Sequence, residues 1–331
     1  MLSFDQKTDV ASAGTGADEY IDVLVEDICR ETEDVKLYTL LRPSGAPFPT
    51  ISAGAHIDVL IPNGLIRQYS LLKAEENPFT YKIGVKRDEN SRGGSQYLHD
   101  KVQRGTQLKI SAPRNNFPLT EDAEYTIFIA GGIGITPIWS MLNRLTELGR
   151  PWQLYYACRA FSQALFVKDL SDNKRVHCHF DDRENGRVLA LSNIIQNAPK
   201  QSQIYCCGPS PMMAAFKVAT AEAWPANQLH TEYFTPAEEK ATGRSFTVTL
   251  ARSGRKIVVA PGKTILETIR EAGLNVAYSC QEGICGTCET SVLAGTPDHR
   301  DSVLSDAERA ENTKMMICCS GSLSDELILD L

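Results

Sequence analysis

The chain is predicted to be multidomain: an antiparallel all-β first part, an α/β middle with a parallel sheet, and a small α+β end. Three observations predict this. Residues 19–118 carry short apolar or alternating runs broken by Pro, Gly and Asn. From residue 119 onward, strand-like runs alternate with helix-like stretches, the pattern of a parallel sheet. Beyond residue 234 a polar stretch leads to a hairpin, a helix and a loop dense in cysteine. At 331 residues the chain is also too long for one comfortable core.

Taken in order, residues 1–18 have neither a basic start nor an apolar stretch of signal-peptide length, and are expected to be a disordered leader. No apolar run is long enough to span a bilayer. A cytoplasmic, reducing setting is therefore expected, in which the ten cysteines are thiols or ligands rather than disulfides. The net charge of −7 argues against a nucleic-acid partner. Over 19–118, "IDVLVEDI", "VKLYTLL", "HIDVLIP", "RQYSLL", "TYKIGVK" and "QLKISAP" predict strands of an antiparallel barrel or sandwich, interrupted by a helix starting near Gly94. Over 119–234, "YTIFIA" reads as a buried strand, followed by "GGIGITP" and the helical "IWSMLNRLTEL"; "WQLYYAC", "RVHCHF" and "SQIYCCG" are further strands. Residues 235–245, "TPAEEKATGRS", read as a linker. Over 246–331, "FTVTLARSGRKIVVAP" predicts a hairpin and "TILETIREAG" a helix ended by Gly273.

The most specific stretch is "SCQEGICGTC", with Cys280, Cys285 and Cys288 spaced C-x4-C-x2-C. A fourth ligand is available in "MMICCS", as Cys318 or Cys319. One distant cysteine added to this spacing is the plant-type [2Fe–2S] pattern. Gly283 and Gly286 would let the loop wrap tightly and aim N–H groups at the sulfurs. Zinc is the competing metal, although zinc sites more often use paired CxxC knuckles. Residues 246–331 resemble a plant-type ferredoxin domain, which implies a β-grasp fold. The resemblance favours Cys318 as the fourth ligand, because it follows "MMI" at the position ferredoxins use. Cys319 would then be a packed neighbour.

A [2Fe–2S] cluster takes one electron at a time, so a source must lie upstream. In "IAGGIGITP" a strand runs into glycines and then a helix, and N–H groups at a helix N-terminus favour phosphate. Tight turns also need glycine for structural reasons alone. "YCCGPSPMM" repeats the pattern of strand, Gly, Pro and helix. Ligands of open parallel sheets bind beyond the carboxyl ends of strands, where both turns sit. Together they resemble the nicotinamide half of the ferredoxin–NADP reductase superfamily. That resemblance implies dinucleotide contacts from Gly131, Gly132, Ile133, Gly134, Thr136, Pro137, Cys207, Gly208 and Pro209. It places Cys207 near the nicotinamide and leaves Cys206 a buried strand residue.

Hydride delivers an electron pair and the cluster accepts single electrons, so a flavin is needed between them. "RQYSL" resembles the superfamily's R-x-Y-S flavin motif. On a strand Arg67, Tyr69 and Leu71 share one face, and Gln68 and Ser70 the other. Arg67 suits a phosphate, Tyr69 the isoalloxazine or ribityl chain, and Ser70 the N5/O4 edge. Gly93, Gly94 and Ser95, opening a helix, suit the flavin phosphate. Val85 and Lys86 look like the family's backbone contacts to the ring. Phe234, in "HTEYF", fits the aromatic residue that packs over the flavin in this superfamily; otherwise it anchors the chain before the linker.

The order of flavin barrel, nicotinamide domain and C-terminal ferredoxin resembles the family of phthalate dioxygenase reductase and vanillate O-demethylase reductase over about residues 19–331. The resemblance implies FMN rather than FAD, NADH rather than NADPH, a Rieske-type oxygenase as partner, and a monomer. No Arg or Ser cluster is well placed for a 2′-phosphate, with "CRAFS" (158–162) as the stretch that leaves NADPH open. Two alternatives are a stand-alone flavin and iron–sulfur enzyme reducing a small acceptor, and a non-enzymatic redox sensor. His177 and His179 share a strand face without further ligands for a metal. The acidic run 298–330 reads as solvated surface, or as a docking face for a basic partner.

Overall fold

The computed structural model describes residues 20–72, 77–89, 92–221, 223–236 and 238–331, so the expected leader lies outside the described residues. One compact unit spans Glu19–Ala237 and a second contains Glu238–Leu331. No helix among the described residues is long and apolar enough to cross a membrane.

The first unit opens with six antiparallel strands: β1 (Ile21–Arg30), β2 (Val35–Leu41), β3 (His56–Leu60), β4 (Ile66–Ser70), β5 (Thr80–Lys86) and β6 (Gln107–Ile110). Their order is β4-β3-β6-β1-β2-β5, and a bridge from Leu71 to Ile83 brings the two outer strands together. The alternating residues of the sequence, among them Val23, Val25, Tyr38, Leu40, Ile57 and Val59, fill the interior. β3 and β4 are shorter than the apolar runs suggest. Leu65 takes the Ile61 N–H at 2.8 Å, which closes a turn inside the apolar stretch. Helix α1 (Gly94–Lys101) follows β5.

The same unit continues with β7 (Tyr125–Gly131), α2 (Ile135–Glu147), β8 (Trp152–Cys158), α3 (Val167–Leu170), β9 (Val176–Phe180), α4 (Leu191–Asn197), β10 (Ser202–Cys207), α5 (Ser210–Thr220) and β11 (Leu229–Glu232). All strand pairs here are parallel, in the order β11-β10-β7-β8-β9. From β7 the chain proceeds outward through β8 and β9, then returns to the other side of β7 for β10 and β11. The order therefore reverses between β7 and β10. Helices cover both faces over two apolar cores, one containing Phe128, Ile138 and Tyr156, the other Ile129, Ile195 and Phe216. The barrel is tied to this sheet by the Gly54 N–H donating to Ser140 Oγ (2.9 Å) and by the Tyr205 hydroxyl donating to the Pro118 carbonyl (3.1 Å).

The second unit holds β12 (Phe246–Leu250), β13 (Arg255–Val259), α6 (Ile265–Glu271), β14 (Glu289–Ala294), β15 (Pro297–Asp298), α7 (Asp306–Glu311), β16 (Lys314–Met316), β17 (Gly321–Ser322) and β18 (Glu326–Leu329). The main sheet runs β13-β12-β18-β14-β16, with β12 and β18 parallel. Thr264 and Glu267 cap α6 reciprocally, and Gly273 at φ 77° follows its end, as the sequence suggested. The polar stretch after residue 234 is not free throughout. The Ala241 N–H donates to the Cys319 carbonyl (2.8 Å), and Glu238 pairs with Arg300 (3.2 Å). Its second half is therefore part of this unit.

Candidate functional site

In the barrel, β4 meets the first turn of α1. Arg67 Nη1 donates to the Ile66 carbonyl at 2.8 Å. Its stem crosses the first turn of α1 so closely that a Cβ on Gly94 would lie 2.7 Å from Arg67 Cγ and 2.8 Å from Nε. Glycine permits the approach. Gly93, the N-cap of α1, has φ 91°, and a Cβ there would meet nothing within 4 Å among the described residues. The first N–H groups of α1 and the Arg67 guanidinium are therefore neighbours, a combination suited to phosphate. At the other end of α1, the Tyr38 hydroxyl donates to the Leu98 carbonyl (2.9 Å) and Lys36 Nζ to the His99 carbonyl (2.8 Å), fixing the helix on β2.

The remaining flavin candidates divide. Burial pushes the Tyr69 hydroxyl pKa up, against the pull of Arg67. Gln68 turns its amide to Asp58 Oδ1 (3.0 Å) beside His56, inside a polar cluster that Arg114 completes through Asp58 (2.7 Å). Burial, then Arg114, pushes the His56 pKa down to about 4. Ser70 is buried, and Leu71 is fully buried in the barrel core with its N–H given to Ala55. Tyr69 packs against the same barrel core as Leu71, as strand alternation puts them, and the Leu71–Ile83 bridge closes the barrel there. Ser95 Oγ takes the Asp88 N–H (3.1 Å). Val85 is buried with its carbonyl bonded to His99 Nε2 (2.9 Å), while Lys86 is exposed near Asp34 (3.5 Å).

Both glycine turns lie at the reversal point between β7 and β10, where open parallel sheets bind ligands. They are packed into each other. A Cβ on Gly134 would meet the Cys207 carbonyl at 2.2 Å, and one on Gly131 would meet Pro209 Cδ at 2.5 Å. Gly208 sits against Gly131 N and the Met212 sulfur. Gly131, Gly134 and Gly208 thus serve close packing, and Gly132, at φ 52° with nothing nearby, is the open one. Ile133 is half-buried and Pro137 buried in the first turn of α2. Thr136 is buried too, its hydroxyl donating to the Ile133 carbonyl (2.9 Å). A Cβ on Gly84 of β5 would lie 3.1 Å from Thr136 Cγ2, so the barrel abuts this turn directly.

Cys207 is fully buried, as is Cys206. Burial, then Glu232 and Cys206, holds the Cys207 thiol well above its ordinary pKa, so it is a neutral thiol packed in the core rather than a thiolate. Glu232 was not singled out by the sequence. It stands opposite Cys207 in the β10–β11 register, with Oε2 buried and unpartnered among the described residues. Desolvation pushes its carboxyl up to about 8. The signal available in the sequence was its place before the "YF" pair. Phe234 is half-buried against the core that contains Ile135 and Cys207.

In the second unit Cys280, Cys285, Cys288 and Cys318 are all buried. The Cys280 thiol is the main neighbour that pushes the Cys285 pKa up, and the Cys318 thiol does the same to Cys288. The Cys280 thiol also meets that of Cys318, so the four form one connected group. Among the described residues no three such side chains surround a point fit for a single metal ion. Four buried thiols brought together from the C-x4-C-x2-C loop and one distant cysteine suit the two irons of a plant-type centre. Gly283 and Gly286 take φ 70° and 74°, and a Cβ on Gly283 would strike Cys319 Sγ at 2.5 Å. Cys319 Sγ itself lies toward the Met316 carbonyl (3.7 Å). The strand histidines are engaged locally, His177 with Gln153 and His179 with the Arg187 carbonyl. Much of the acidic run is also engaged within its unit: Asp298 with Arg300, Glu308 with Lys314, Asp325 with Arg244, Glu326 with Lys256 and Asp330 with Arg252.

Comparison with known proteins agrees with this layout. The family description "2Fe-2S iron-sulfur cluster binding domain" matches residues 248–321, and "Oxidoreductase NAD-binding domain" matches 128–217. The chain is 46% identical over 321 residues to tetrachlorobenzoquinone reductase of Sphingobium chlorophenolicum, covering 94% of this chain and 98% of that one. It is 47% identical over 312 residues to phenoxybenzoate dioxygenase subunit beta of Ectopseudomonas oleovorans, covering 94% and 97%. Among solved structures, phthalate dioxygenase reductase matches with a TM-score of 0.72 at 36% identity, covering 95% of this chain and 98% of that one.

Proposed function

Because the chain belongs to the family of phthalate dioxygenase reductase and the vanillate O-demethylase oxidoreductases, and so is an NADH-dependent reductase of oxygenase systems, we propose the finer assignment that it carries FMN and serves a Rieske-type oxygenase. The domains are the barrel (19–118), the NAD domain (119–234) and the ferredoxin domain (246–331). The flavin phosphate is held by Arg67 and the N-terminus of α1 at Gly93, Gly94 and Ser95. Tyr69, the Ser70 region and the Val85–Lys86 strand end line the ring. The nicotinamide rests between the Gly132 turn and Cys207–Gly208–Pro209, with Phe234 covering the flavin. The cluster is ligated by Cys280, Cys285, Cys288 and Cys318. A flavin bound there would take the hydride's electron pair and release electrons singly to the [2Fe–2S] cluster. The protein's residues place the two rings and exclude water; no side-chain acid or base is needed for hydride transfer.

One observation carries this reading: the nicotinamide turn at Thr136 packs against Gly84 of the flavin barrel, within a single compact unit. The relatives' names support an oxygenase partner. A monomer in the cytoplasm completes the proposal. Chromatography of the released flavin, with NADH bleaching of its visible absorbance, tests it; released FAD would overturn the FMN assignment.

A second reading is favoured by a specific observation. The match to tetrachlorobenzoquinone reductase extends over 98% of that chain. A ferredoxin-like end therefore does not by itself exclude direct reduction of a small quinone. Comparing NADH-driven turnover of a chlorinated quinone with that of Rieske oxygenases separates the two.

A further inference from the structure

Behind the cysteine loop lies a group of charged side chains with no part in the reading above. Asp301 is fully buried. Its Oδ2 accepts the N–H groups of Val303 (3.0 Å) and Leu304 (2.8 Å). Its Oδ1 has no hydrogen-bond partner among the described residues and faces His299 Nδ1 at 3.8 Å. The Asp301 backbone lies on the loop itself: its Cα would be 3.1 Å from a Cβ on Gly283, and the next N–H, of Ser302, donates to the Gly283 carbonyl at 2.8 Å. Gly283 sits between Cys280 and Cys285. Arg309 Nη2 donates to the Asp301 carbonyl, and Arg309 Nη1 stands 3.9 Å from Glu238. Arg300, paired with Asp298 (2.9 Å), also reaches Glu238 at 3.2 Å.

We propose that Asp301 is a positioning residue that sets the potential of the iron–sulfur centre: its buried carboxylate, seated behind the Gly283 turn, holds the midpoint potential down, and the Arg309 guanidinium offsets it. The proposal rests on the cluster being held by the four buried cysteines. Reduction adds one negative charge to the cluster. A carboxylate withdrawn from water beside the loop opposes that charge through a weakly screening interior, and a guanidinium favours it. The same carboxylate fixes residues 301–304 through two charge-assisted bonds, and so braces the turn that aims N–H groups at the sulfurs.

The test is a redox titration of the purified full-length holoprotein, followed by EPR, after iron and sulfide have been counted in the wild type. A wild type without two irons would defeat the cluster assignment itself and is distinguishable at that first step. Asp301→Asn keeps an acceptor for Val303 and Leu304 while removing the charge. It is expected to raise the midpoint potential, changing the reduced-to-oxidised ratio at a fixed potential severalfold; a tenfold change is about 59 mV for one electron. Arg309→Gln keeps a donor for the Asp301 carbonyl and is expected to lower it. A structural role alone would not move the two variants in opposite directions. An Asp301→Asn protein with full iron content and an unshifted midpoint overturns the proposal. If that variant loses iron, Arg309→Gln decides: a lowered midpoint supports the proposal, and an unchanged or raised one overturns it.

Discussion

Cys318 and Cys319 are adjacent in sequence but differ in their surroundings. Cys318 meets the Cys288 thiol, whereas Cys319 packs against the Met316 carbonyl and the Gly283 turn. Cys318→Ser should abolish or strongly shift the [2Fe–2S] EPR signal and Cys319→Ser should leave it close to wild type; the reverse pattern would show a register one residue off. Glu232 makes a separate prediction. Its folded-state pKa, near 8, lies above the ordinary carboxylate value. As pH rises past 4.5, the unfolded chain releases this proton while the folded chain keeps it. Its contribution is thus fully present at low pH and is lost as pH rises through about 8, by at most roughly 1.4 kcal/mol per pH unit. Denaturant titrations of wild type and Glu232→Gln across pH 5–8 should show the variant with the shallower decline. Parallel declines would mean that the carboxyl is solvated in the folded state. Spacing made the first three cysteines legible, whereas Glu232 was missed because its neighbour Cys207 comes from another strand.

Packing between turns is visible only at the level of elements. The sequence marked Gly131, Gly134 and Gly208 as dinucleotide contacts by resemblance, with tight turns that need glycine as the alternative. The fold uses them to let the β7 and β10 turns touch. Gly134→Ala would press a methyl onto a backbone carbonyl that cannot move aside. It should destabilise the first unit by about 1–3 kcal/mol and raise KM for NADH. Gly132→Ala, which meets no neighbour, should be felt through its positive φ alone. Equal stability of Gly134→Ala and wild type would contradict the interlocked turns. The same logic applies at α1, where Gly94→Ala should displace Arg67 and weaken flavin retention during gel filtration. Strand and helix positions were legible from alternation and apolar runs. Strand ends were less so, because the turn at 61–65 and the closure at Leu71 depend on hydrogen bonds between separated residues.

At the scale of the whole molecule, the three-part order was legible because each part has its own periodicity and the cysteine spacing is rarely accidental. The extent of the linker was not, because Glu238 and Ala241 are polar or small in sequence yet bonded to the C-terminal unit. The two units divide the labour: the first oxidises NADH and the second passes single electrons onward. The measurement that bears on this most directly compares two acceptors with intact protein and with Cys285→Ser. Ferricyanide draws electrons from reduced flavin, whereas cytochrome c draws them through the cluster. Cys285→Ser should retain NADH-dependent ferricyanide reduction and lose cytochrome c reduction to background. If the variant reduces cytochrome c as fast as the intact protein, the C-terminal unit is not the exit for electrons, and the central claim fails.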